Sequence, residues 1–166
     1  MDTFNHADPA ECSALNRLSY RNRRPTWLGH WVSQLFCLGA RLGLTPRSWV
    51  SLEVRDRASG LMRADAVVLA TVAGERYIVS MFGSISDWVQ NVEAARGDAV
   101  VAHGSPVHVR LVPVPPEERA PKLREYVRVA SSGRKRFPVP VGAPLPAFAA
   151  IAAQYSVYRI ELPASG

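Results

Sequence analysis

The feature that most constrains the fold is an alternation of apolar and polar residues that begins at Trp49 and recurs to the end of the chain. Runs of this kind, separated by glycine and proline turn signals at short intervals, are typical of antiparallel strands joined in hairpins. Six such runs occur, with one helical segment between the third and the fourth. Regular strand–helix alternation is missing, which argues against a doubly wound sheet. We therefore predict a mainly β, α+β fold: a closed antiparallel β-barrel with helices on its rim.

The individual elements follow from these runs and their flanking signals. The six predicted strands are SWVSLEVRDR, RADAVVLATV, RYIVSMF, DAVVAHG, PVHVRLVPV and SVYRIEL. A helix is predicted from Asp87, a candidate N-cap, to about Ala95, and Gly97 is expected to end it. Prolines and glutamates at 115–118 predict the start of a helix that runs to about residue 130, and a short helix is predicted over residues 146–154.

The segment that precedes the strands divides into two parts. Residues 1–25 form a polar, basic tail, and residues 26–47 are predicted to form an amphipathic helix. Its apolar residues recur at helical spacing, at Trp27, Trp31, Leu35, Leu38 and Leu42. We expect this helix to pack on its own domain or on a second copy in a homodimer. Peripheral membrane contact through residues 26–44 is the next alternative, and a membrane span the third.

Composition bounds the class of protein. The chain has 166 residues, of which 48% are hydrophobic, so it suits one domain, predicted over residues 48–163. Cys12 and Cys37 show neither disulfide-scaffold nor zinc-site spacing, and no signal-peptide order is visible. We therefore expect a cytoplasmic protein, or one that is peripheral at the inner face of the cell membrane.

The sequence lacks the motifs that identify several classes of binding site and catalytic site. The formal charge of +6 comes almost entirely from arginines, but these are scattered and form no nucleic-acid-binding module. There is no GxSxG, GxGxxG or Walker-type loop. His103 and His108 flank a tight hairpin without a nearby acid, so we expect a surface pair and no metal site.

Two segments suggest anion binding. Arg55, Arg57 and Arg63 flank the turn Ser59–Gly60, where their guanidinium groups could converge on a phosphate or on carboxylates. Taken alone, a solvated hairpin end explains them equally well. The glycine- and serine-rich loop 81–86 leads directly into a helix N-terminus, whose free amides also favour anions. The second segment shifts the balance towards an anionic ligand.

The same two segments resemble the deazaflavin (coenzyme F-420)-dependent nitroreductase and quinone reductase family of actinobacteria. The resemblance covers residues 50–162, and the second half of the chain is its more specific part. The matching residues are Arg57, Ser59, Gly60, Arg63, Gly83, Asp87, Trp88, Asn91 and Val92. It implies an FMN-binding-like split β-barrel that binds a reduced 8-hydroxy-5-deazaflavin coenzyme.

The resemblance also implies roles for individual residues. Arg57 and Arg63 would hold the phosphate and glutamate tail of the coenzyme, assisted by Arg55 and the turn at 59–60. The ring and phosphate region would be lined by the loop residues Met81, Phe82, Gly83, Ser84 and Ser86. Trp88 and Asn91 would brace the helix behind this loop.

The implied reaction is hydride transfer from the coenzyme to a quinone, nitro or enone acceptor. Candidate proton donors or substrate-orienting groups are Tyr126, Tyr155 and Ser86, with Tyr158 as a further tyrosine. Ala58 and Met81 stand where some relatives carry basic residues, which weakens the tail clamp. An FMN-dependent reductase of the same fold and a non-catalytic cofactor- or ligand-binding barrel are therefore the alternatives.

Overall fold

The computed structural model describes residues 20–21, 24–25, 35–131 and 133–163. The strands are β1 (Tyr20–Arg21), β2 (Arg24–Pro25), β3 (Trp49–Arg55), β4 (Met62–Val72), β5 (Glu75–Val79), β6 (Asp98–His103), β7 (Ser105–Pro113) and β8 (Val157–Glu161). The helices are α1 (described over residues 35–41), α2 (Asp87–Ala94), α3 (Arg119–Val129) and α4 (Leu145–Ile151).

Six of these strands close into a barrel in the order β3-β4-β5-β8-β7-β6, and all neighbouring pairs are antiparallel. The strand β8, last in the sequence, closes the barrel by pairing with both β5 and β7. The predicted α+β antiparallel barrel, with one helix between its third and fourth strands, is confirmed.

Strand alternation divides the apolar side chains between two cores. One core fills the barrel, with Leu52, Ile78 and Leu111 almost fully buried. The other core lies on the outer face of β4, β5 and β8, where α3 covers the sheet through Tyr126 and α4 packs against α3, adding Phe148 to the same core. The barrel therefore has helices against one side and a packed interior.

The two ends of the barrel differ. Helix α2 lies at the end where β5 stops and β6 begins, and its Val89 and Val92 pack into the interior core. We call this the closed end; it also carries the β3–β4 turn and the loop after β5. At the opposite end, β3, β5 and β7 begin and β4, β6 and β8 finish, and we call this the open end. The predicted cofactor segments thus all belong to the closed end.

Helix α1 ends earlier than the predicted boundary at residue 47. It stops at Arg41, because Gly43 takes a positive φ of 70° and the amide of Leu44 returns to the carbonyl of Gly39 at 2.9 Å. Arg41 donates two hydrogen bonds of 2.7 Å to Glu53, which fastens the helix to β3. Residues 26–34 lie outside the described residues, so the homodimer and membrane contacts of this helix stay predictions.

Two smaller expectations need correction. The third predicted strand ran to Phe82, but β5 ends at Val79 because the chain turns at Gly83, whose φ is 65°. His103 and His108 do not face each other: they pair with Ser105 and Val100, respectively. Among the described residues, no group of three metal-ligating side chains comes together. Within the same residues, no helix has the length and apolar character needed to cross a bilayer.

Candidate functional site

The β3–β4 turn is organised by Asp56, which the sequence reasoning missed. Its Oδ1 accepts hydrogen bonds from the amides of Ala58 (3.2 Å) and Ser59 (2.7 Å) and from the Ser59 hydroxyl (2.8 Å). The backbone and hydroxyl hydrogen bonds from Ser59 lower the pKa of Asp56 to about 2. The spacing Asp-x-x-Ser-Gly is the signal that could have found it, because an aspartate at the start of a turn caps the following amides.

The three arginines of this turn have separate partners. Arg55 Nη1 donates to the carbonyl of Gly60 at 2.7 Å. Arg63 Nε forms an ion pair of 3.2 Å with the second carboxylate oxygen of Asp56. Arg57 instead reaches α2, as described next. The three guanidinium groups were predicted to converge on a single point. In the structure each of them instead binds its own partner.

Arg57 joins the turn to the start of α2. Its Nη1 and its backbone amide both donate to Asn91 Oδ1, at 2.9 and 3.1 Å, and its Nη2 contacts Asp87 Oδ1 at 3.2 Å. Asn91 is buried, with 1% of its surface exposed, so this bridge is held by the core of the closed end. The turn and the N-terminus of the helix consequently form one surface.

This surface retains capacity for an anion. Each guanidinium carries five N–H donors, of which the hydrogen bonds above engage only one or two. The side chains of Arg57 and Arg63 are 37% and 57% exposed. Three arginines set against the carboxylates of Asp56 and Asp87 leave one net positive charge on this surface. The residues fit an anionic tail, although with less charge than the sequence suggested.

The loop between β5 and α2 is fixed by two serines. Ser80 Oγ donates to the carbonyl of Gly83 at 2.8 Å and lies 2.6 Å from Ser86 Oγ. Because Ser80 has already used its single proton, Ser86 donates to Ser80 and keeps free acceptor capacity on its own oxygen. A Cβ at Gly83 would collide with the carbonyl oxygen of Gln154. This glycine therefore serves close packing of the loop on the protein itself.

The remaining loop residues differ in exposure. Met81 packs on the outer core, and the Phe82 ring lies 5.2 Å from the guanidinium carbon of Arg136. Ser84 and Ile85 are exposed. Solvent-facing loop surface is thus available mainly at residues 84–86.

The sequence suggested Asp87 as the N-cap of α2, and the structure shows that this prediction was wrong. Ser86 occupies the N-cap position, with extended backbone, and its side chain accepts no hydrogen bond from the amides of the helix. Asp87 is the first helical residue and pairs with Arg57. Its negative charge complements the helix dipole but competes with an anionic ligand at the same place.

The two residues expected to brace α2 both contact neighbouring elements. The Trp88 ring packs edge-on against Tyr158 of β8, with 5.8 Å between ring centroids. Asn91 accepts both bonds from Arg57. Their proposed role behind a cofactor stays a prediction.

The two tyrosines predicted for catalysis are buried in the outer core, on which Met81 of the loop also packs. Tyr126 and Tyr155 are 2% and 8% exposed in the outer core, with ring centroids 5.6 and 4.3 Å from that of Phe137. Tyr155 Oη donates to the carbonyl of Arg136 at 3.4 Å. Of the three residues predicted for catalysis, Ser86 alone belongs to the loop.

A cleft of about 410 Å³ lies beside the C-terminal half of α2. It is lined by Val92, Glu93, Arg96, Gly97, Arg110, Leu111, Val112, Pro113 and Tyr158. Tyr158 Oη donates to Glu93 Oε1 at 3.3 Å, and burial, reinforced by this carboxylate, raises the pKa of Tyr158 to about 12. Sequence reasoning missed the cleft because nothing local relates residues 93 and 158. A second cavity lies at the open end, and neither cavity is lined by a residue predicted to bind the cofactor.

Comparison with known proteins supports the architecture. No protein-family model and no curated protein matches the sequence. The protein Atu2129 of Agrobacterium tumefaciens, of unknown function, is 14% identical with a TM-score of 0.51 over 78% of this chain. This chain spans 56% of the length of that protein.

Two other solved structures have lower TM-scores. A reductase dependent on reduced F-420 is 15% identical, with a TM-score of 0.46 over 69% of this chain and 95% of its own. An FAD-binding protein of Mesorhizobium loti is also 15% identical, with a TM-score of 0.46 over 78% of this chain and 89% of its own. At these identities the likeness concerns the fold, and the fold of this chain is a closed six-stranded antiparallel barrel.

Proposed function

We propose that this protein is an oxidoreductase that transfers a hydride from a reduced 8-hydroxy-5-deazaflavin coenzyme to a quinone, nitro or enone acceptor. The observation that carries the proposal is the bridge from Arg57 to Asn91 and Asp87, at 2.9 and 3.2 Å. Through this bridge the arginine turn and the loop before α2, the two segments on which the family resemblance rests, share one surface at the closed end.

The coenzyme tail is assigned to the arginine turn. Its phosphate and carboxylates would be bound by the unused donors of Arg55 and Arg63, with Arg57 contributing from its bridge to α2. Ser86 would accept a hydrogen bond from the ring system, because its own proton is committed to Ser80. The hydride itself is supplied by the coenzyme when bound, so the protein has mainly to bind, orient and exclude water.

The acceptor is assigned to the cleft beside α2. Among the candidate proton-holding groups, Tyr158 lines the cleft of about 410 Å³, and its hydroxyl is protonated at neutral pH, as that of a tyrosine with an ordinary pKa also is. This hydroxyl would position the acceptor by a hydrogen bond, with Glu93 orienting it at 3.3 Å. Tyr126 and Tyr155 would then have structural roles in the outer core.

A binding titration tests the proposal. Purified protein is titrated with the deazaflavin coenzyme and separately with FMN, following quenching of tryptophan emission. Arg63→Gln is the site variant, and Arg124→Gln, an exposed arginine of α3, is the matched control. We expect saturable coenzyme binding that is tighter than FMN binding, weakened about tenfold by Arg63→Gln and unchanged by Arg124→Gln.

The outcomes separate the alternatives. Preference for FMN would replace the deazaflavin by a flavin as the electron source. Binding without oxidation of the reduced coenzyme in the presence of quinone, nitro and enone compounds would identify a non-catalytic barrel. Absence of binding to either compound would contradict the proposal altogether.

A further inference from the structure

The open end of the barrel contains a cavity that the proposed reductase site does not use. Its volume is about 310 Å³, at the lower limit of small-molecule sites. It is lined by Arg47, Val50, Leu69, Arg76, Val101, His103, Ser105, Val107, Val109 and Ile160. These residues come from all six barrel strands and from the turn before β3, so the cavity lies on the barrel axis.

The inner wall of this cavity is apolar. Val50, Leu69, Val101 and Val109 belong to the interior core and are each at most 8% exposed. They occupy the inward-facing positions of their strands. The far end of the barrel is covered by α2, and a six-stranded barrel is too narrow to remain empty along its length. The cavity is therefore a shallow blind pocket.

The rim of the pocket is cationic. Arg47 and Arg76 are exposed, and within the described part of the chain neither side chain has a hydrogen-bond or ion-pair partner. His103 also lines the pocket, and its Nε2 donates to the carbonyl of Thr45 at 2.9 Å. None of the described residues that line the pocket carries a carboxylate. Two uncompensated guanidinium groups around an apolar floor favour an anion with an apolar body.

Neighbouring carboxylates offset the charge of this rim only in part. Glu75 and Glu161 share one arginine, Arg159, which faces the outside of β8, so these three groups carry one net negative charge. Glu53 is neutralised by Arg41 of α1. Together with these described neighbours, the two positive charges of Arg47 and Arg76 leave the open end cationic by one unit.

We propose that the open end of the barrel binds a small amphipathic monocarboxylate with a short or medium alkyl chain. The alkyl chain enters the pocket and removes apolar surface from water, while the carboxylate accepts hydrogen bonds from Arg47 and Arg76. Because the pocket is blind, affinity rises with chain length only until the floor is reached. This site is independent of the arginine turn, which lies at the other end of the barrel.

The test uses octanoate as the probe, followed by methyl carbon NMR of the isotope-labelled full chain. We expect saturable shifts of the Val50, Leu69, Val101 and Val109 methyl groups. The double variant Arg47→Gln/Arg76→Gln should weaken octanoate binding by about tenfold or more, and Arg124→Gln should leave it unchanged. The neutral analogue 1-octanol should bind more weakly to the wild-type protein than octanoate does.

Three results would overturn the proposal. The first is the absence of saturable methyl shifts, and the second is equal binding of octanoate and 1-octanol. The third is octanoate-induced shifts confined to the exposed leucines Leu35 and Leu38 of α1 and Leu42 just after it, which would indicate non-specific association. Because Arg47 and Arg76 are exposed, their variants should fold normally, and an unchanged thermal transition by circular dichroism checks this. Titration of the double variant with deazaflavin coenzyme should match the wild type, which separates this site from the proposed reductase site.

Discussion

Individual side chains at the closed end act through their neighbours. Asp56 shapes the arginine turn, since one of its carboxylate oxygens caps the amides of Ala58 and Ser59 and the other holds Arg63. Tyr158 similarly connects β8 to Glu93 of α2. These two residues yield predictions that depend on their protonation.

Asp56 should make stability fall in acid. Its pKa of about 2 in the folded protein is below the ordinary value of 3.8, so the folded state favours the carboxylate. The stabilisation is complete above about pH 4 and is lost as the pH falls through about 2. We expect Asp56→Asn to reduce the acid dependence of the free energy of unfolding, measured by urea titration across this range. Asp98→Asn, at an exposed position of β6, is the control, and an equal reduction in it would contradict the assignment.

Tyr77 and Tyr158 should lose their phenolic protons at a higher pH than an ordinary tyrosine does. Burial raises the pKa of each to about 12, with further contributions from Glu75 and Glu93, respectively. The neutral phenols therefore stabilise the fold below about pH 10, and this contribution disappears as the pH rises towards 12. Absorbance at the phenolate band should show a late phase that loses amplitude in Tyr158→Phe and in Tyr77→Phe. A single phase near pH 10 in the native protein would refute this.

At the level of elements, the loop before α2 is determined by packing as much as by any ligand. Gly83 has a positive φ of 65° and abuts the backbone of Gln154. Gly60, in the arginine turn, has a similar φ of 71° but nothing within 4 Å of its missing Cβ. A side chain at Gly60 would therefore meet backbone strain alone, whereas a side chain at Gly83 would meet both strain and a steric collision.

Alanine at these two positions should have unequal costs. Gly60→Ala is expected to lower the free energy of unfolding by about 1 kcal/mol, from left-handed backbone strain alone. Gly83→Ala adds the collision with Gln154 and should cost roughly 3 kcal/mol. Urea unfolding of both variants and the wild type measures the difference. Equal costs would show that the loop moves away from Gln154 without penalty.

For the molecule as a whole, closure depends on the final strand. β8 pairs with β5 through Ile78↔Tyr158 and with β7 through Leu111↔Ile160. Its removal would leave two unpaired strand edges and expose both cores. The barrel should therefore be unable to fold before the last residues of β8 are present.

Truncation tests this closure. A chain that ends after Tyr155 is expected to lose the cooperative thermal transition and the dispersed amide spectrum of a folded barrel. A chain that ends after Pro163, and so retains β8, should keep both. Cooperative unfolding of the shorter chain would show that β5 and β7 can pair without β8.

The site was less predictable from the sequence than the fold. The positions of Arg55, Arg57 and Arg63 around a turn were readable from local spacing, and so was the start of α2 near Asp87. The bridge from Arg57 was not, because Asn91 lies 34 residues away in sequence and was expected only to brace the helix. The cleft at Glu93 and Tyr158 and the pocket at the open end had no local signal at all.

The sequence by itself determined the elements of this protein, because residue periodicity and turn signals are local and directly encode strands, hairpins and helix starts. The tertiary structure alone decided which elements became neighbours: that β8 lies between β5 and β7, that α2 covers one end of the barrel, and that Arg47 and Arg76 surround the other. Barrel closure brings together residues that are distant in sequence, and their juxtaposition depends on packing throughout the molecule.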